Sequence, residues 1–320
     1  MSRRSPDEPG GGPSYQIWLN GEYYPRDEAK ISMLDRGYRL GDVVYDTLRT
    51  FNGRVYRLEE HLDRFARTLK YVRIDPGMAL DELGDLIQAV IDRNEPVRSK
   101  FGDDYMISPH VTRGAGTQFE TLVPNISIFI DPINFEGYAP AYSDGVHGVI
   151  ARTRSLSAQQ LDPKVKHFSR LSYVMADMEA RDVDPAAMPI MLDLDGNVTE
   201  SVGANFMIVR DGAIRTPRDN AILQGVSRLA IGQLAEQLGI PVIEEELQPY
   251  DVYTADEAFF CSTPFCLLPV SRVDNRDIGN GAIPGPVTSQ LLAAWSEQVG
   301  LDIVDQTIRL GRKAAQWRAG

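Results

Sequence analysis

The chain has 320 residues, 33 basic and 45 acidic, and a formal net charge of -12. This length exceeds what one hydrophobic core usually spans, and 43% hydrophobic with 24% charged residues suits a globular protein able to bury two cores. The acidic balance opposes phosphate backbones and anionic bilayers, so neither nucleic acid nor membrane is an expected partner, and small molecules are the expected ligands.

Cys261 and Cys266 are too few for a disulfide framework and suit a reducing cytoplasmic setting. His61, His110, His147 and His167 show no zinc-site spacing, so no metal centre is expected. Residues 1–14 pass from basic to acidic to Gly-rich without the apolar stretch of a secretory signal and read as a disordered tail.

In chain order, 16–19 and 43–51 form short extended runs, punctuated by Asn20-Gly21 and Asn52-Gly53, which are hairpin signals. Leu58, Leu62, Phe65, Leu69 and Val72 then recur at steps of four and three and predict an amphipathic helix; Leu80, Leu83, Ile87, Val90 and Ile91 predict a second. Extended runs return at 105–112 and 126–130, which completes an α+β pattern of antiparallel sheet with helices. Over 132–145 the chain is rich in Pro, Gly and Tyr without periodicity, and reads as an inter-domain linker. Beyond it come a strand at 148–154, a helix at 169–180, hairpins at Asp195-Gly196 and Asp211-Gly212, and a helix at 226–238. The expected organisation is two α+β domains, a small one over 15–131 and a larger one over 146–320.

Lysine is scarce, which allows each one to be weighed singly. Lys164 and Lys166 flank Val165 ahead of a helix, and an extended backbone there would point both to one face. A lysine partly buried at such a place can lose its proton and act as a nucleophilic amine, although a solvated basic turn fits the same residues. The run 198–206 carries Glu200 and Asn205 between two apparent strands, where a carboxylate could pair with a ring nitrogen or lie on a surface hairpin. Gly225, Val226 and Ser227 open the third helix, whose free N–H groups and dipole favour an anion. Ser262, Thr263 and Pro264 form a turn after the strand 257–261.

Taken together, these segments resemble the class IV, fold type IV, pyridoxal phosphate aminotransferases. The resemblance covers about residues 16 to 305 and rests on Asp35-Arg-Gly-Tyr-Arg-Leu-Gly-Asp-Val-Val-Tyr-Asp46, Leu58-Glu-Glu-His-Leu-Asp-Arg-Phe65, the lysine segment, Thr199-Glu200 with Asn205-Phe206, Gly225-Val-Ser227 and Ser262-Thr263. It implies pyridoxal 5'-phosphate (PLP) as cofactor, held mainly by the larger domain, and a homodimer. It makes Lys166 the amine that bonds the cofactor aldehyde and shuttles the reaction proton, with Glu200 on the pyridine nitrogen. Arg64, the N–H groups of Val226 and Ser227 and the Thr263 hydroxyl would hold the phosphate, with Asn205, Gly225 and Ser262 beside the cofactor. Tyr45 and Pro264 would border the substrate.

Within that family, 35–46 and Val111-Thr-Arg-Gly114 look most like the D-amino acid enzymes. Residues 114–120 lack their Arg-x-His carboxylate trap, while 161–168 and 285–288 resemble the (R)-amine transaminases. Arg49 matches an arginine of the branched-chain enzymes, and Arg39, Arg49, Arg113 and His110 are all candidates for a substrate carboxylate, where a bidentate arginine pair is the expected chemistry. The resulting expectation is a transaminase taking D-amino acids, and also (R)-amines, with pyruvate or 2-oxoglutarate as acceptor. A branched-chain L-amino acid aminotransferase, an aminodeoxychorismate lyase and a non-catalytic binding protein on the same fold are the alternatives.

Overall fold

The structure is a computed structural model that describes residues 15–101 and 104–319. The tail expected over 1–14 lies outside the described residues. The described residues divide into two compact units: the first holds those up to Ile133 with Lys166–Ser169 and those from Gln316 on, and the second holds Asn134–Val165 and Arg170–Ala315.

The first unit begins with β1 (Gln16–Leu19) and β2 (Glu22–Pro25), then α1 (Arg36–Leu40), β3 (Val43–Tyr45), β4 (Leu48–Phe51) and β5 (Arg54–Val55). It continues with α2 (Leu58–Val72), α3 (Leu80–Phe101), β6 (Tyr105–Thr112) and β7 (Asn125–Pro132). The strands form an antiparallel sheet in the order β2-β1-β7-β6-β4-β5, with β3 also on β6. The hairpin signals act through left-handed backbone, with φ of 49° and 100° at Asn20-Gly21 and 53° and 74° at Asn52-Gly53. Alternation along β6 and β7 buries Tyr105, Ile107, Val111, Ile126, Ile128 and Ile130, and α3 adds Leu83, Ile87, Val90 and Ile91 to this core.

The extended run expected over 43–51 is split in two. Asp46 turns out of the ladder, its backbone N–H donating to Pro109 O and its side chain accepting from Thr47 N, and the break sends its carboxylate toward α2.

The second unit contains α4 (Phe135–Asp144), β8 (Val146–Ile150), α5 (Leu171–Val183), β9 (Met188–Ile190), β10 (Asn205–Arg210), β11 (Ala213–Thr216), α6 (Val226–Leu238) and β12 (Val242–Glu244). After these come α7 (Pro249–Tyr253), β13 (Glu257–Ser262), β14 (Cys266–Val273), β15 (Arg276–Asp277), α8 (Pro286–Val299) and α9 (Ile303–Ala319), the last running on past the unit boundary. Its mixed sheet runs β12-β11-β10-β13-β14-β8-β9, with β15 on β14. Phe206, Phe259, Phe260, Ile231, Leu291 and Trp295 are buried in this unit.

The stretch expected as an irregular linker over 132–145 is mostly the helix α4. Phe135, Tyr138 and Tyr142 recur at helical spacing; Phe135 and Tyr142 are buried, Tyr138 packs edge-on against Phe265, and the Tyr142 hydroxyl donates to Phe265 O. Burial of this aromatic stripe outweighs the helix-breaking tendency of Pro140.

Candidate active site

The residues singled out from the sequence are distributed over both units.

In the first unit, Lys166 is carried on a segment that pairs with β3. Tyr45 N donates to Lys166 O at 3.1 Å and Phe168 N to Val43 O at 3.2 Å, with Val44 and His167 as the bridge between them. The Lys166 amine lies 4.5 Å from the centre of the Tyr45 ring. Tyr45 stacks on Phe168 at 4.2 Å and meets His110 edge-on at 5.7 Å, while His110 also packs against Phe168 and Phe129. The reactive-amine candidate therefore stands over the Tyr45 ring, which itself packs against Phe168 and His110.

The expectation that Lys164 and Lys166 share one face is corrected. Residues 163–165 form a turn closed by Val165 N donating to Asp162 O, not an extended run, and Lys164 pairs with Asp162 at 2.8 Å. Asp162 turns the chain by accepting from Lys164 N, an Asx turn that alternation could not reveal.

Behind Tyr45, Asp46 anchors a buried polar cluster. Arg64 donates through Nε to Asp46 Oδ2 at 2.9 Å and through Nη2 to Oδ1 at 2.7 Å, and His61 Nδ1 lies 2.8 Å from the same Oδ1. Burial alone would raise the Asp46 carboxyl, but the charge of Arg64 and the partnership with His61 hold it well below the usual carboxylate range. Burial pushes the His61 imidazole down, Asp46 opposes this, and the charges of Arg64 and Lys166 add to the lowering.

The four carboxylate-binding candidates separate clearly. Arg113 chelates Asp42 and donates to the carbonyls of Val72 and Arg73. Arg49 is buried, donates to Thr50 O and lies 3.9 Å over the Phe51 ring. Burial, helped by the Lys166 charge, pushes His110 down to about 4, so its ring is neutral at physiological pH. Arg39 is exposed in the last turn of α1, with no carboxylate partner among the described residues.

In the second unit, Glu200 is 8% exposed, and its Oε2 accepts from Leu223 N at 2.9 Å and from Asn205 Nδ2 at 3.2 Å. Asn205 Nδ2 also donates to Leu223 O, tying β10 to the approach of α6. Gly225 is the N-cap of α6 without a side-chain cap, and no acid stands in the first turn, so the N–H groups of Val226 and Ser227 begin a helix end open to an anion. The start of α8 is different: Glu257 already accepts from Val287 N and Thr288 N, so residues 285–288 carry an internal anion. Ser262, Thr263 and Pro264 stand at the β13–β14 turn, with the Ser262 hydroxyl donating to Gly203 O.

Two participants escaped the sequence reading, Asp46 and His61. The available signal was a polar stripe, His61, Arg64 and Thr68, at i, i+3 and i+7 of α2, all of which are buried.

The family model for amino-transferase class IV matches residues 43–273. A protein of Methanocaldococcus jannaschii, provisionally named a branched-chain-amino-acid aminotransferase, is 33% identical over 91% of this chain and 100% of its own. The D-alanine aminotransferase of Staphylococcus haemolyticus is 30% identical over 89% of this chain and 98% of its own. Among solved structures, a T.th. branched-chain amino acid aminotransferase with pyridoxamine 5'-phosphate superposes with a TM-score of 0.80 at 25% identity, covering 90% of this chain and 95% of that one. The chain belongs to the class IV aminotransferases, with their two-domain α+β fold of type IV, and is a PLP-dependent transaminase acting on amino and keto acids. Such a cofactor calls for an amine, an acceptor for a ring N–H and donors for a phosphate, and groups of these kinds are present: the amine of Lys166 in the first unit, and in the second the buried carboxylate of Glu200 and the uncapped start of α6.

Proposed function

We propose that this transaminase takes its amino group from a D-amino acid, and also from (R)-primary amines, and delivers it to a 2-oxo acid such as pyruvate or 2-oxoglutarate by a ping-pong mechanism. The observation that carries the reading is the surround of Lys166: the Tyr45 ring lies next to the amine, Arg49 and Arg113 are tied to other groups, His110 is neutral, and Arg39 is exposed at the end of α1. A pocket without a committed cation loses little when the donor has no carboxylate, because no charge is left unpaired beside an apolar group. The D-alanine aminotransferases among the relatives support the D-series donor.

When bound, PLP supplies the electron sink for the carbanion formed at the substrate carbon. Lys166 Nζ would bond its aldehyde and then carry the proton at the substrate carbon. Arg64 would pair with the phosphate, and the α6 N–H groups of Val226 and Ser227, with Thr263, would add neutral donors. Glu200, held by Leu223 N and Asn205, would keep the ring nitrogen protonated. The proposal includes a homodimer, as the family resemblance implies, and a reducing cytoplasmic setting, which two free buried thiols suit. Among the described residues no helix is long and apolar enough to cross a membrane.

A second reading, a branched-chain L-amino acid aminotransferase, is favoured by the relatives of that name. Initial rates with a donor panel separate the two: transfer from D-alanine or D-glutamate, slower transfer from (R)-1-phenylethylamine and little from L-leucine are expected. L-Leucine or L-valine as the best donor would overturn the D-amino acid reading.

A further inference from the structure

Asp46, His61 and Arg64 are 1%, 2% and 5% exposed, so their charges are balanced largely among themselves. Arg64 contributes one positive charge, Asp46 one negative, and the neutral imidazole form of His61 none. With a neutral ring the three groups carry no net charge. A phosphate dianion set against Arg64 would meet a guanidinium whose Nε and Nη2 already serve Asp46 at 2.9 and 2.7 Å. Of the three groups, only the imidazole can change its charge near neutral pH. His61 Nδ1 lies 2.8 Å from Asp46 Oδ1, and because a carboxylate only accepts, this contact favours the ring tautomer with the proton on Nδ1 and the lone pair on Nε2. The charged groups that face it are Asp46 from the break between β3 and β4, Arg64 from the next turn of α2 at 3.4 Å, and Lys166 from the segment beside β3.

We propose that His61 is the proton-accepting member of the phosphate site: when a phosphate dianion binds at Arg64, a proton from solvent enters at Nε2 and turns the neutral cluster into a monocation. This inference rests on Arg64 being the phosphate anchor. An opposite charge nearby favours the protonated ring, and Asp46, already on Nδ1, accepts the stronger hydrogen bond of an imidazolium. Asp46 thus acts as the positioning residue for both cations. Because binding takes up a proton, affinity falls as pH rises, by about tenfold per pH unit where a full proton is taken up.

The test uses the full chain freed of cofactor and pyridoxamine 5'-phosphate as probe, which has no aldehyde to condense with Lys166. Calorimetry near pH 7.5, in buffers of different ionisation enthalpy, counts the protons taken up on binding. The wild type should take up more than His61→Gln by a difference approaching one proton, and His61→Gln should lose most of the pH dependence of affinity. Equal uptake in the two proteins overturns the inference. Arg64→Ala is the control: unchanged affinity means that the phosphate sits elsewhere and the role given to Arg64 fails, whereas weakened affinity with equal uptake in wild type and His61→Gln removes the role of His61 alone. Should His61→Gln fail to fold, ring resonances of the wild type decide. The chain has four histidines, few enough to assign through Gln variants of the other three. A His61 ring converted from neutral to imidazolium by the probe at constant pH supports the proposal; an unchanged ring overturns it.

Discussion

Gly225→Ala tests whether the support of Glu200 depends on close packing against the start of α6. Gly225 has φ -67° and ψ 135°, a conformation open to any residue, so alanine introduces no backbone strain. Its Cβ would overlap Asn205 Oδ1, and Asn205 is 5% exposed with no room to withdraw freely. Turning that amide aside breaks the bonds from Nδ2 to Leu223 O at 2.9 Å and to Glu200 Oε2 at 3.2 Å. An unmade buried hydrogen bond costs about 1–3 kcal/mol. Replacing glycine at a permissive backbone position returns about 0.4–1 kcal/mol through the unfolded chain. The expected net loss is about 1–2 kcal/mol, at roughly 2–4 °C of Tm per kcal/mol. Glu200 keeps Leu223 N but loses the Asn205 donor, so cofactor affinity should also fall, by about tenfold for about 1.4 kcal/mol. Thermal unfolding and titration by visible absorbance measure the two effects. In an Asn205→Ala background the overlap is gone, and Gly225→Ala should become neutral or slightly stabilising. Equal destabilisation in both backgrounds would refute the reasoning.

Two further outcomes are expected. Lys166→Ala should abolish transamination and the visible absorbance of bound cofactor, while Lys164→Ala, which only releases Asp162, should leave both largely intact; the reverse pattern would show the wrong lysine was chosen. Asp184 is held at about 2 by the N–H of Ala186, by His147 and by Arg272, below its value of about 4 in the unfolded chain. A depressed carboxyl stabilises the fold fully above about pH 4 and loses this as pH falls through about 2. Asp184→Asn should therefore lower Tm at pH 7, with the gap to wild type closing in acid; a gap independent of pH in thermal melts would exclude this ion-pair account.

Much of the local architecture follows from residues close together in the chain. The apolar stripe of α2, the limits of α6 and β1, and the Asn-Gly hairpins are set by contacts within a few residues, where helical and strand periods act. The order of the motifs sufficed for the family, because the same chemical groups must recur along the chain for one cofactor. Local pattern did not reveal that Pro140 lies inside a helix, since the compensating burial of Tyr142 depends on Phe265, 123 residues away. Nor could it separate Arg39, Arg49 and Arg113, which share one charge and similar surroundings in sequence. Arg113 is engaged by Asp42 from 71 residues away, and Arg64 by Asp46 from 18 residues upstream. Whether a buried cation is available to a ligand depends on which carboxylate folding brings to it, and that pairing arises only when strand register and helix packing bring distant residues within 3 Å.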